Sequence, residues 1–532
     1  MQSRSLCRVV AMVIAGGSML IGTYASSGQP PDDNRVTTQI KDLKPNDLPA
    51  ALTAPVTVPI PSSILVGPVQ PIDLTTVLRL AGVENPELNF ARQTVVEAAA
   101  LRQLAAAQFL PTINFGANYD THTGTLQQSN GNILSVNRSS VYVGAGSNAI
   151  AAGTVNIPGV FLAGNVSEAI FGLLVTRQIV RQREFATAAL QNQTFLRVAL
   201  GYAELTRAEG LRAISLQARD ESREVARLTA EYAATGEGRK ADADRANTEL
   251  ARRESEVIEA EGQILVASAA LCRLVNPDPT IRLHPTDAFV VPQPIVPSPI
   301  PLGELIGLAL LRRPELAERR AAIREALLTL EGANILPFSP TVLVGFSAGG
   351  FGGGSNLVRP VFGGFGGRTD VDALAYWSIR NMGVGNLALI RIADARLRAT
   401  RFQEIAVLNR VRADVAEAHA KTHARFAQIT TNEAAVRSGL EGFQEDFDRI
   451  KSRAARSVLP IELLDNFRLL ARARRQYLDA IVDYNRAQFE LYVALGQPPA
   501  AALSHQVPIE GVAPSGVSGP SLPPASNLPL LP

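Results

Sequence analysis

Cysteine is almost absent: Cys7 and Cys272 are the only two in 532 residues. Cys7 lies ahead of an N-terminal apolar run, Val9 to Gly22, so loss of that run in a leader would leave Cys272 alone and no intrachain disulfide. A lipoprotein signal would put its Cys directly after the run, and Cys7 is on the wrong side. Aromatics make up 5% of the chain, with a single Trp, Trp377. Sparse bulky side chains and abundant Ala suit long, closely packed helices better than a thick globular core. Charge of one sign is missing too: the formal net charge is +2, which offers no basic field for nucleic acid. Beyond the first run, no stretch reaches the ~18 uninterrupted apolar residues of a second membrane-crossing helix. The first run follows Arg4 and Arg8 and ends at Thr23-Tyr24-Ala25, the pattern of a secretory signal peptide over 1–25.

What is present is a duplication. Residues 26–71 are rich in Pro, Thr and Val without helical period and read as a linker. Leu74 to Leu88 then matches Leu302 to Leu316, with Asn85-Pro86-Glu87-Leu88 in register with Arg313-Pro314-Glu315-Leu316. Each is followed by an Ala-rich helical stretch and then by Leu-Pro, at Leu110-Pro111 and Leu336-Pro337. A repeat of this kind sets the period of the whole fold. It divides the chain into a first repeat over 72–281, a Pro-rich junction over 282–301, a second repeat over 302–497 and a Pro-rich tail over 498–532.

After each Leu-Pro the pattern changes to alternation. Ile113, Phe115, Ala117 and Tyr119 alternate with polar or small residues, as do Val342, Val344, Phe346 and Ala348. Each such strand has a weaker partner, Val141 to Ala145 and Val371 to Ile379. The connections Thr121–Ser135 and Gly349–Arg368 are polar or Gly-rich and read as long loops, so four strands are expected per chain. Alternating runs of about ten residues fit tilted transmembrane β-strands.

Each strand pair leads into a long helical hairpin. The first runs from about Ile170 to Ala234, turns at Gly236-Glu237-Gly238 and returns from Ala241 to Val275. Its return carries the seam Ala246, Leu250, Arg253, Val257, Ala260, Ile264, Ala267, Leu271, Leu274. In the second, Val436, Leu440, Phe443, Phe447 and Ile450 lead to a tip at Ser457-Val458-Leu459-Pro460. Leu463, Phe467, Leu470, Tyr477, Ile481, Tyr484 and Leu491 lead back, with Arg474 as a polar interruption. Spacings of four and three put these side chains in one supercoiling seam. The second seam reads as the less regular and the second tip as the more charged. Four amphipathic strands cannot close a barrel alone, because an open edge in lipid leaves backbone groups unpaired. Several chains must therefore pool them.

The order of helix, Asn-Pro-Glu-Leu, Ala-rich helix, Leu-Pro, strand pair and long coiled hairpin, made twice over about residues 72–500, resembles the TolC-like outer-membrane efflux factors. The resemblance implies a mainly α fold with a membrane β-barrel contribution: a homotrimer whose duplicated helical hairpins form an α-barrel tunnel and whose four strands per chain form a twelve-stranded barrel. It implies the outer membrane and periplasm as location, a periplasmic adaptor (membrane fusion protein) and an inner-membrane pump as partners, no catalysis and no cofactor. In that family a tip glycine precedes an acidic residue by six positions; here Gly236 is followed by Asp242 and Asp244, whereas counting back from Glu462 reaches Arg456. Asp465 resembles the aspartate that rings the family's periplasmic constriction. Asp242, Asp244, Glu462 and Asp465, with Arg449, Arg453 and Arg456 as partners, are thus the gate candidates, and Trp377 is a candidate for the bilayer interface.

Other signals carry less. Gly345-Phe346-Ser347-Ala348-Gly349 matches a nucleophile elbow but leads into a Gly-rich run instead of a helix. His419 and His423 share a helix face without an intervening Glu or a third ligand, and a surface pair is the plainer account. The Gly-rich run Gly349–Gly367 lacks the Lys-Ser/Thr ending of a phosphate loop and reads as a flexible extracellular loop. A periplasmic coiled-coil scaffold or adaptor without a barrel would account for the helices and leave the strands unexplained.

Overall fold

The computed structural model describes residues 63–147, 157–236, 238–287, 290–297, 299–451 and 460–497. The expected signal peptide, residues 26–62 of the 26–71 linker, the second tip from Ser457 to Leu459 and the 498–532 tail lie outside them. Among the described residues, no helix is long and apolar enough to cross a membrane.

The first repeat opens with β1 (Val69–Ile72), α1 (Leu74–Glu84) and α2 (Pro86–Ala107). Pro86 is the reason α1 and α2 are two helices: the residue before a proline is pushed out of the helical region, and Asn85 sits at φ −64°, ψ 120°. Its side chain then caps α2, accepting from the Leu88 N–H at 3.0 Å. Arg313 breaks the second copy in the same way, at φ −66°, ψ 123°, between α5 (Leu302–Arg312) and α6 (Pro314–Ile335). Both expected linkers carry structure. β1 runs parallel to β7 (Arg282–Pro285), with Ile72 and Leu283 buried against the helices. Further on, the side chains of Asn485 and Gln488 accept from the N–H groups of Gln293, Ile295 and Val296, which holds an aperiodic segment in place.

The strands form one seven-stranded sheet: β2 (Thr112–Ile113), β3 (Phe115–Gln127), β4 (Ile133–Ser147), β5 (Ile157–Pro158), β6 (Val160–Asn165), β8 (Thr341–Ser355) and β9 (Val358–Tyr376). β4 and β6 pair successive stretches of β8, Arg138–Ala145 opposite Ser355–Ala348 and Val160–Asn165 opposite Phe346–Thr341. The sheet is therefore four antiparallel tracks, β2/β3, β4/β6, β8 and β9. The stretches expected as loops, Thr121–Ser135 and Gly349–Arg368, are mostly strand, and in the second of them several glycines let the chain pack closely. A Cβ at Gly349 would stand 2.5 Å from the carbonyl oxygen of Val143 and 2.7 Å from the Tyr142 ring. Registers Ala117↔Val143↔Gly350 and Val344↔Ala373 place Tyr119, Val143, Val160, Leu162, Val344, Phe346 and Val371 on one face. Asp120, Arg138, Arg368 and Asp370 share the other. Ser347 lies inside β8, accepting from the Gly159 N–H, and not at a strand-to-helix turn.

Each track pair feeds a hairpin: α3 (Val166–Ala234) and α4 (Lys240–Val275), then α7 (Val384–Lys451) and α8 (Pro460–Ala494). α3 has 69 residues and α7 has 68. At 1.5 Å per residue each is roughly 100 Å long. Asn165 starts α3, its side chain accepting from the N–H groups of Ser167 and Glu168. α8 buries two faces. Leu463, Phe467 and Leu470 meet Phe443 and Ile450 of α7, in one cluster with Val225 and Leu228 of α3. Leu478 and Val482 meet Leu211 of α3 and Ala260 of α4.

Candidate functional site: charges between the two hairpins

Near the tips the two hairpins are joined by ion pairs that run across them. Glu249 of α4 is 2% exposed and Arg253, one turn on, is 4% exposed. Arg253 donates to Glu249 (2.7 and 2.9 Å) and to Glu256 (2.9 Å), and its guanidinium lies 5.0 Å from the centre of the Phe467 ring of α8. From α8, Arg468 donates to the other oxygen of Glu249 at 3.0 Å and Arg475 to Glu256 at 3.1 Å. Arg474 donates to both oxygens of Glu221 on α3, at 2.7 and 2.9 Å. Further along, Arg207 of α3 pairs with Asp479 (2.7 Å) and Arg486 with Glu204 (3.3 Å). A buried carboxylate is tolerable only when its charge and lone pairs are met, and Glu249 meets both from two different helices.

The seam of α4 differs from its sequence reading. Leu250 and Leu274 are half-buried, while Glu249 and Glu261 are buried. Hence the first seam, taken as the regular one, holds the buried charges. Burial raises the Glu261 pKa, but the Ile64 N–H, the Ser63 hydroxyl and Arg212 outweigh it and hold the carboxyl below the usual range.

The residues named from the tips fall into three groups. Asp465 is tied to the network, 3.5 Å from Arg468, which in turn holds Glu249. Asp242 pairs with Arg245 on its own helix at 3.0 Å, and Arg449 pairs with Glu445 one turn back on its own helix. Asp244 and Glu462 are exposed. Arg453 and Arg456 lie outside the described residues. Asp242–Arg245 and Arg449–Glu445 each stay within one helix, whereas Glu249–Arg468, Glu221–Arg474 and Glu256–Arg475 cross between the hairpins behind the tips. Glu221, Glu249, Glu256, Arg468 and Arg475 were missed, although Arg253 and Arg474 at apolar positions of a seam already called for buried partners. Trp377 follows β9 directly and is 61% exposed, its indole N–H donating to the Phe338 carbonyl at 3.1 Å. Phe338, Ile379 and Met382 are exposed around it at the junction of sheet and helices.

No protein-family model matches the chain, and no curated protein matches it in sequence. Solved structures do match. The outer-membrane channel OprN superposes with a TM-score of 0.65 at 20% identity, over 80% of this chain and 89% of that one. The CmeC outer membrane channel of Campylobacter jejuni gives a TM-score of 0.64 at 14% identity, over 80% of this chain and 85% of that one. The outer membrane protein VceC from Vibrio cholerae gives 0.60 at 16% identity, over 80% and 96%. The fold of this chain, two repeats of strands and long helical hairpins, is therefore the TolC-like fold of these outer-membrane proteins.

Proposed function

We propose that the protein is the outer-membrane channel of a tripartite efflux or type I secretion system. It conducts substrates passively, without catalysis, from a periplasmic adaptor and inner-membrane pump to the exterior. One chain supplies two repeats, 72–281 and 302–497. Three chains pool four strand tracks each into a twelve-stranded barrel in the lipid bilayer, and their hairpins into a tunnel reaching into the periplasm. The observation that carries this reading is the sheet. One face carries Tyr119, Val143, Val160, Leu162, Val344, Phe346 and Val371 on the half of the sheet next to the helices, and among the described residues no strand pairs with the outer edge of β3 or β9. Such edges are stable in lipid only when a neighbouring chain pairs them. The apolar face also disfavours the rival reading of a periplasmic coiled-coil adaptor without a barrel.

In this reading Asp242, Asp244, Glu462 and Asp465 line the narrow periplasmic end. The arginine–carboxylate crossings behind them set how far the second hairpin can untwist from the first when a pump and adaptor dock. Exposed pairs are worth ~0–1 kcal/mol each, so the buried centre at Glu249 dominates. The test is reconstitution of the purified protein in planar bilayers, with cross-linking to count chains. Trimers with discrete single-channel currents are expected. A monomer that leaves the bilayer silent sinks the channel, and unchanged leak in Arg468→Ala and Arg474→Ala sinks the latch.

A further inference from the structure

His419 and His423 stand one turn apart on α7, well away from the tips. Their Nε2 atoms are 3.1 Å apart and their rings meet edge-on, with centroids 4.5 Å apart. As free imidazoles they can share one N–H···N bond. The same spacing is also the bite of two metal ligands: bonds of ~2.0–2.1 Å from each Nε2 to one ion would subtend roughly 100° at it. That angle lies between the square and tetrahedral geometries used by copper, nickel and zinc. Spacing by i,i+4 is what puts two imidazoles on one ion from one helix.

The surroundings favour an ion there. The pair borders a cavity of about 310 Å³ walled by Val296, Pro297, Ile300, Phe426 and Leu491. The nearest cations are engaged elsewhere, Lys421 with Glu417 (2.9 Å) and Glu490 (3.4 Å) and Arg425 with Asp483 (3.4 Å). Among the described residues, no three His, Cys, Asp or Glu side chains are grouped to enclose a metal, so any ion held here is held by the two rings alone.

We propose that His419 and His423 form an open two-histidine site for a divalent transition-metal ion of the copper, nickel or zinc class, bound through both Nε2 atoms. The test uses untagged full-length protein stripped with a chelator and titrated with Cu²⁺, read by electron paramagnetic resonance. Expected is one saturable Cu²⁺ per chain with hyperfine structure from two imidazole nitrogens, displaced by excess Zn²⁺. His419→Gln and His423→Gln each remove one nitrogen and weaken binding by about tenfold or more, and the double variant abolishes it. His284→Gln leaves the signal unchanged. Circular dichroism of each variant confirms that α7 is intact. No saturable binding, or a double variant that binds as the parent does, overturns the proposal.

Discussion

The two hairpins have nearly the same backbone and opposite chemistry. Their outgoing helices have 69 and 68 residues and their return helices 36 and 35. Both returns end in a left-handed residue, Asn276 at φ 65° and Gly496 at φ 83°. Counted back from these caps, Glu249, Arg253 and Glu261 of α4 correspond to Leu469, Ala473 and Ile481 of α8. The first copy buries charge where the second carries aliphatic side chains. In exchange α8 presents Arg468, Arg474 and Arg475 to Glu249, Glu221 and Glu256 of the first hairpin. After duplication, two identical hairpins would fit each other in several registers. Divergence that sets acidic side chains of the first hairpin against basic ones of the second near the tips leaves one register in which Glu221, Glu249 and Glu256 are all met.

The largest test of this comparison is Glu249→Ala. It strips Arg253 and Arg468 of a shared acceptor and leaves a guanidinium buried beside Phe467. Breaking a buried pair from one side costs ~3–5 kcal/mol, to be read as a lower denaturant midpoint. Arg474→Ala leaves Glu221 half-buried with its crossing partner gone and should cost ~1–3 kcal/mol. Equal effects would mean that the two copies contribute alike.

Much of this fold was legible because its rules are periodic. The 4-3 spacing of Phe443 through Leu491 gave the hairpins, and Pro86 and Pro314 gave the breaks in the short helices. The strands were read short because Thr121–Gln127 and Gly349–Gly367 are polar or Gly-rich on both faces, so no alternation marks them. The site was legible only in part. Periodicity tells which side of a helix is buried but not which residue of a distant helix lies opposite. Arg474 was visible as an interruption, while its partner Glu221 is set by the register between repeats.

A middle-sized effect separates the two Pro-Glu-Leu breaks. Asn85 caps α2 and also donates to the Leu274 carbonyl at 2.8 Å, tying α2 to the end of α4. Arg313 makes no side-chain cap to α6 and instead pairs with Asp414 of α7 at 2.6 Å. Asn85→Ala should cost ~1–2 kcal/mol by thermal or denaturant unfolding. Arg313→Ala should cost ~0.2–1 kcal/mol, because Asp414 is open to solvent.

Smaller again is the acid response of Glu261, whose counterpart Ile481 cannot titrate. The folded carboxyl is held below its unfolded pKa of about 4.3, so its contribution is full above that value. It is lost as pH falls through the lowered folded value. Hydrogen exchange at the Ile64 amide should therefore quicken on acidification through this range once corrected for intrinsic rates. In Glu261→Gln the same amide should show no such step.

The smallest expected effect is none, and it bears directly on where the latch sits. At the first tip Arg245 pairs with the gate candidate Asp242 on its own helix. An ion pair within one helix moves with that helix and cannot resist the parting of two hairpins. Arg468 and Arg474 bridge helices that separate in the proposed opening, so their loss should lower the barrier to it. In planar bilayers Arg245→Ala should match the parent in leak, while Arg468→Ala and Arg474→Ala should leak several-fold more. Should Arg245→Ala leak as much as they do, the restraint lies at the tips, and the crossing pairs behind them serve assembly instead of gating.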